Sequence, residues 1–234
     1  MGYDLVRLKG GLGYGSVENE LIKILDSVNT DLVLDIGANK GQFAKKLIDF
    51  GYKKSILSFE PISSLHNILI EASRNFESWH IHDKCCIGNT ESRAKINISN
   101  LIGNSSLLKI KGSKFNVTQS HYVDEEEVDQ ITLGSLNSNS IIQVASNIFI
   151  KMDVQGYEHV ILSKLGETNY NIVGFFIELS LVELYDDQED YLYICNQLKS
   201  FGYDLVYVTS ESIRSNRMIQ FNGVFLHNSL SYNT

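Results

Sequence analysis

The stretch Leu32-Val33-Leu34-Asp35-Ile36-Gly37-Ala38-Asn39-Lys40-Gly41 decides the fold. An aliphatic, β-prone run ends on a carboxylate, a glycine-containing turn follows, and Gly41 to Phe50 carries Phe43, Leu47 and Ile48 at helical spacing. A strand therefore runs through a tight turn into a helix, which Gly51 stops. The alternation continues with a strand at Ser55 to Phe59, a helix at Ser63 to Asn75 and a third strand at Trp79 to Ile87. Asn147 to Val154 and Ile172 to Leu179 read as further strands, with helices near Tyr157 to Leu165 and at Gln188 to Phe201. Tyr203 to Thr209 and Met218 to His227 close the series, separated by the polar stretch Ser210 to Arg217. Short strands alternating with helices are the pattern of βαβ units around a largely parallel α/β sheet.

Residues 100 to 147 break this rhythm with loop-forming clusters, among them Gly103-Asn104-Ser105-Ser106 and Asn137-Ser138-Asn139-Ser140. Arg93 to Ser99 and Val128 to Leu133 are expected as short strands, and the acidic run Asp124-Glu125-Glu126-Glu127 as a solvated turn. No internal repeat is visible. The organisation expected is a lead and helix over residues 1–30 and one domain over residues 31–234.

Composition narrows the function classes. The only proline is Pro61, where average usage predicts roughly a dozen, so proline-rich linkers are excluded. With 43% hydrophobic and 21% charged residues the chain is a globular one. A net charge of −8 gives no global attraction to a phosphate backbone or an anionic membrane, so no nucleic-acid partner is expected. Three cysteines without paired spacing fit a reduced compartment. No apolar run approaches the roughly 18 residues of a membrane span, and Met1 to Gly15 lacks a signal-peptide stretch. A soluble cytoplasmic protein is expected, its oligomeric state open.

The turn after the first strand and Glu60 at the end of the second imply an adenosine-containing cofactor. Glycine lets the backbone approach a ligand closely, and an acid at that place accepts hydrogen bonds from ribose hydroxyls. The spacing Gly37, Asn39, Gly41 departs from the G-x-G-x-x-G of dinucleotide sites, which disfavours NAD and FAD. The cluster Gly10-Gly11-Leu12-Gly13-Tyr14-Gly15-Ser16 fails the same test and reads as a mobile lead. A phosphate-cradling G-x-x-x-x-G-K-[ST] loop is absent.

Val33 to Gly41, Phe59-Glu60-Pro61, Asn104-Ser105-Ser106-Leu107 and Lys151-Met152-Asp153-Val154-Gln155-Gly156-Tyr157-Glu158 occur in an order and spacing that resembles the FkbM family of S-adenosylmethionine-dependent methyltransferases. The resemblance covers Asp31 to Leu181. It implies a Rossmann-like methyltransferase fold, a seven-stranded mostly parallel sheet with its last strand antiparallel and helices on both faces. It also implies methylation of a hydroxyl, often on a saccharide or small metabolite. The chain departs from the family at Gly134, where an acid is often found, and at Ser163-Lys164-Leu165, which lacks the usual Gly-Ala pair.

On this reading Asp35, Gly37, Ala38, Asn39 and Gly41 hold the methionine end of S-adenosylmethionine, Glu60 its ribose, and Pro61 and Ser105 complete the cofactor wall. Lys151 and Asp153 lie two apart on one strand and share a face, with Asp153 at the carboxyl end where open α/β sheets place their sites. Asp153 is the first candidate for general base and Glu178 the second, with Lys151 beside them; a structural ion pair is the rival reading for Lys151 and helix capping for Glu158. Asp153 and Glu178 as ligands of a divalent cation are a less favoured arrangement, because no third acid is well placed. His80 and His82 read as sheet packing, and His121 as a weak alternative base. Ile102 to Ser146 and Gly2 to Ser16 are expected to wall the acceptor. RNA methylation and a non-catalytic cofactor-binding module are the alternative functions.

Overall fold

The structure is a computed structural model and describes residues 7–8, 11–12, 17–111, 120–214 and 216–230. Its strands, in chain order, are β1 (Leu32–Ile36), β2 (Ser55–Phe59), β3 (Trp79–Ile81), β4 (Cys85–Gly88), β5 (Ser92–Ser99), β6 (Tyr122–Thr132), β7 (Ile148–Met152), β8 (Ile172–Ser180), β9 (Tyr203–Arg214) and β10 (Arg217–His227). Ahead of them Arg7–Leu8 pairs with Gly11–Leu12; the remainder of the predicted glycine-rich lead lies outside the described residues. The helices are α1 (Val17–Ser27), α2 (Gln42–Asp49), α3 (Ser63–Ser73), α4 (Ser140–Val144), α5 (Glu158–Leu162) and α6 (Tyr191–Ser200).

β1 and β7 are buried at every position, which requires a central place in a sheet covered on both faces. The sheet runs β9-β10-β8-β7-β1-β2-β3. β3, β2, β1, β7 and β8 are parallel, and β10 runs antiparallel between β8 and β9. The mostly parallel seven-stranded α/β sheet with an antiparallel last strand is thus present. Chain order reverses at β1, whose neighbours are β2 on one side and β7 on the other, and that crevice is where such sheets bind ligands.

Period-two alternation sorts the sheet's side chains into two cores. Leu32, Leu34, Ile150, Phe175 and Ile177 pack with Ile142 of α4, Ile161 and Leu162 of α5, and Ile194 and Leu198 of α6. Val33, Phe149, Val173 and Phe176 pack on the other face with Leu21 and Leu25 of α1 and Ala44 and Leu47 of α2. Asp35 and Lys151 follow Val33 and Phe149 by two residues and so fall on this second face.

The third strand departs from the expected span, because only Trp79–Ile81 belongs to the large sheet and Cys85–Gly88 joins a separate sheet of order β4-β6-β5. At the break the His82 amide donates to Ser58 O (3.0 Å) and its ring stacks on Phe59, 4.9 Å between centroids. The acidic run is a correction: Asp124 to Glu127 lie within β6, not in a turn. Cations supply the reason, since Lys95 on β5 reaches Glu125 (3.5 Å), Arg93 reaches Asp129 (3.1 Å), and Lys84 reaches Glu126 (2.5 Å). The polar stretch after Thr209 is likewise largely strand, because β9 extends to Arg214 and β10 begins at Arg217 as an edge hairpin that needs no buried face. No helix among the described residues is long and apolar enough to cross a membrane.

Gly174 sits at an irregularity of register between β8 and β7, and a Cβ there would lie 2.5 Å from Phe225 O and 2.9 Å from the Phe149 ring. Gly174→Ala is expected to lower unfolding free energy by about 1–3 kcal/mol, read as a reduced urea midpoint with unchanged slope.

Candidate active site

The turn after β1 holds three left-handed residues, Gly37 (φ 76°), Asn39 (φ 53°) and Gly41 (φ 81°). A Cβ on Gly37 would lie 2.0 Å from Asp153 O, so glycine is what lets the turn close against the end of β7. The amides of Gly37 and Ala38 both donate to Phe59 O, at 3.1 and 3.0 Å. The Asn39 amide donates to Glu60 Oε2 at 2.8 Å, and the Asp153 amide to Ile36 O at 3.2 Å. The turn is thereby tied to the ends of β2 and β7 at once.

Beneath it lies a row of polar side chains in cross-strand register, Ser58 on β2, Asp35 on β1 and Lys151 on β7. Lys151 Nζ is 3.2 Å from Asp35 Oδ1 and donates to Gly37 O at 2.9 Å; the side chains are 8% and 0% exposed. Ser58 Oγ donates to Asp35 Oδ2 (3.2 Å) and accepts from Trp79 Nε1 (2.9 Å). Burial pulls the Lys151 pKa down, but Asp35, Asp153 and Glu178 outweigh it and hold the ammonium above its ordinary value. Asp35 lines neither of the two openings described next.

The first opening, about 660 Å³, lies above β1 and β2. Gly37, Asn39, Glu60, Pro61 and Ser105 line it, and Ile62, Leu65, Ile96 and Leu107 make its apolar wall. The β4-β6-β5 sheet and the loop of residues 102–107 close it from outside. Glu60 is 3% exposed, and its Oε1 accepts from the Ile62 amide at 2.9 Å. Burial raises its pKa to about 7 despite those two amides. Ser105 Oγ donates to Ile102 O (2.8 Å) and accepts from the Ser99 amide (3.0 Å), which shapes the loop.

The second opening, about 980 Å³, lies on the α1 and α2 side and extends to the β9–β10 hairpin. Ala38, Lys151 and Glu178 line it; Asp153 lines both openings. The Asp153 carboxylate is 38% exposed and 3.8 Å from Lys151 Nζ. Its Oδ1 accepts from Gln155 Nε2 at 2.7 Å, and the same nitrogen donates to Glu178 Oε2 at 3.0 Å. Gln220 Nε2 also donates to Glu178 Oε2 (2.7 Å). Burial, with Asp153, Glu158 and Glu211 adding to it, pushes the Glu178 carboxyl well above the usual range. Glu158 Oε1 accepts from the amides of Val154 (3.1 Å) and Gly156 (3.4 Å), a capping arrangement, and burial raises its pKa to about 7. Among the described residues no group of three or more His, Cys, Asp or Glu side chains is arranged to hold a metal ion.

Asp153, Glu178 and Lys151 therefore converge, while Gly37, Asn39, Glu60, Pro61 and Ser105 share the other opening. Gln155, at a left-handed φ of 56°, has a bridging role that nothing in its residue type announces. Tyr185, whose hydroxyl donates to Gln155 Oε1 at 2.8 Å, carries no sequence signal. The expected acceptor walls are redistributed: residues 102–107 line the first opening, and the predicted wall Gly2 to Ser16 falls almost wholly outside the described residues.

The model of the methyltransferase FkbM domain matches residues 35–205. The chain belongs to the FkbM methyltransferase family. It is accordingly an S-adenosylmethionine-dependent methyltransferase. Magnesium protoporphyrin IX methyltransferase (ChlM) from Synechocystis PCC 6803, solved with bound SAH, shares the fold at TM-score 0.50, with 8% identity over 89% of this chain and 79% of that one. The 1,6-didemethyltoxoflavin-N1-methyltransferase of Burkholderia thailandensis, with bound S-adenosylhomocysteine, aligns at TM-score 0.48 and 7% identity over 91% and 79% of the two chains. No curated protein sequence matches this FkbM methyltransferase.

Glu60 and Glu158 carry a stability signature. Both have folded-state pKa values of about 7 against an ordinary 4.5, so folding favours their protonated forms. That stabilisation is complete below the unfolded value and is lost as pH rises through about 7. Unfolding free energy is expected to fall between these limits by roughly 3 kcal/mol or less per group. Glu60→Gln should flatten the decline in denaturation series taken at stepped pH.

Proposed function

We propose that this FkbM-family protein methylates a hydroxyl of a saccharide or other small metabolite. The observation that carries this reading is the half-exposed Asp153 carboxylate in the wall of both openings. A donor in one opening and an acceptor in the other would meet beside it, and alignment of two reactants is a large part of what catalysis of a displacement requires.

The first opening fits the donor. Glu60 would accept hydrogen bonds from the ribose, Ile62, Leu65 and Pro61 would flank the adenine, and the turn from Gly37 to Gly41 would face the methionine end, with Ser105 on the outer wall. S-adenosylmethionine, when bound, supplies a methyl group on a positively charged sulfur. Asp153 accepts the proton of the acceptor hydroxyl, held for that task by the Gln155 amide. Glu178, whose carboxyl burial pushes well above the usual range, orients the hydroxyl in place of competing as the base. Lys151 holds Asp35 and the Gly37 carbonyl in place and thereby positions the turn.

Calorimetry should show binding of S-adenosylmethionine and S-adenosylhomocysteine and none of NAD. Asp153→Asn should lower kcat by about 10²- to 10⁴-fold with donor affinity kept, assayed on acceptors found by mass spectrometry of host glycans and metabolites that gain one methyl group. Undiminished transfer by Asp153→Ala would remove Asp153 from the mechanism.

A further inference from the structure

We propose that the second opening is the acceptor site and that it selects hydroxylated rings bearing no anionic group, with Ser210 and Glu211 of β9 setting that selectivity. The inference rests on the methyltransferase reading and deepens it.

The chemistry of the lining is divided. On one side Phe43 and Phe176 stack, with centroids 5.9 Å apart and planes at 19°, and both line the opening. Across from them Thr209, Ser210 and Asn222 present hydroxyl and amide groups from the hairpin. A saturated ring with hydroxyls has the matching division, a C–H face that packs on aromatic surface and an edge of donors and acceptors. Asp153 stands where the two sides meet, within reach of a hydroxyl on such a ring.

The charges decide which rings enter. Both lysines of the lining already face a carboxylate, the exposed Lys46 pairing with Glu18 at 2.8 Å and the buried Lys151 with Asp35 at 3.2 Å beneath the turn. The remaining acids of the lining are the carboxylates Asp153 and Glu211 and the buried Glu178 carboxyl, with Glu211 accepting from Asn222 Nδ2 at 2.6 Å. A phosphate or carboxylate on the acceptor would be desolvated beside Asp153 and Glu211, while each lysine of the described lining already faces a carboxylate. A neutral ring has hydrogen-bond partners there and meets no such repulsion. Ser210 and Glu211 are exposed on the hairpin, so their substitution changes the opening without disturbing either core.

The test uses the full chain saturated with S-adenosylhomocysteine and matched probes: neutral methyl pyranosides and the corresponding methyl pyranosiduronates, which differ only in a carboxylate at C6. Saturation-transfer NMR with titration is expected to show the best neutral glycoside binding at least about tenfold tighter than its uronate, a preference that shrinks as salt rises. Glu211→Lys should reduce or reverse it. Ser210→Trp should abolish glycoside binding while S-adenosylhomocysteine affinity stays within about twofold. Uronates binding equally or better, no neutral glycoside binding, or glycoside binding unaffected by both variants would overturn the proposal. Failure of the wild-type protein to bind S-adenosylhomocysteine is a separate result, which would overturn the methyltransferase reading itself.

Discussion

The ion pair between Lys151 and Asp35 is the constraint from which the site is built. Two opposite charges taken fully out of water are costly, and they are tolerated only when their remaining donors and lone pairs are satisfied. Here Ser58 occupies the other Asp35 oxygen, and the carbonyl of Gly37 takes a second Lys151 proton. Satisfying the charges and shaping the turn are therefore the same act. The left-handed turn cannot shift without leaving an ammonium unpaired in the core, and removal of one partner from such a pair typically costs about 3–5 kcal/mol.

Around that fixed point the two openings take their walls from different parts of the chain. The first opening is closed by the small β4-β6-β5 sheet, inserted between β3 and β7 and packed over α3 through Ile62, Leu65, Cys86, Ile96 and Val128. The opposite side is closed by α1, α2 and the β9–β10 hairpin. Only the strand ends, which belong to the central sheet, are common to both. The two openings can therefore vary in their outer walls independently of the strand ends they share.

The parts of this architecture that obey short periods were legible in the sequence. β1, β2, β7 and β8 announce themselves as apolar runs because they are buried on both faces, and the Asp35 to Gly41 turn does so because its backbone demands glycine. The pairing of Lys151 with Asp153 on one face followed from period two. What was not legible depends on partners far along the chain. Asp124 to Glu127 look like a turn until Lys84 and Lys95 are seen paired with Glu126 and Glu125. Trp79 to Ile87 looks like one strand until β6 takes its second half. Gln155 looks like a spacer between Asp153 and Gly156, because its role exists only once Glu178 and Tyr185 arrive from β8 and beyond.

Gln155 also limits the charge that this end of the sheet can hold. Its single side-chain nitrogen serves both Asp153 and Glu178, while its oxygen is held by Tyr185, so turning the amide over would set its oxygen against the Asp153 carboxylate. Glutamate at this position would differ by one atom exchanged for another, yet it would bring a third carboxyl into hydrogen-bond range of two others. Three acids sharing so small a space must retain protons between them. The neutrality of this one side chain thus keeps a third carboxyl away from Asp153 and Glu178.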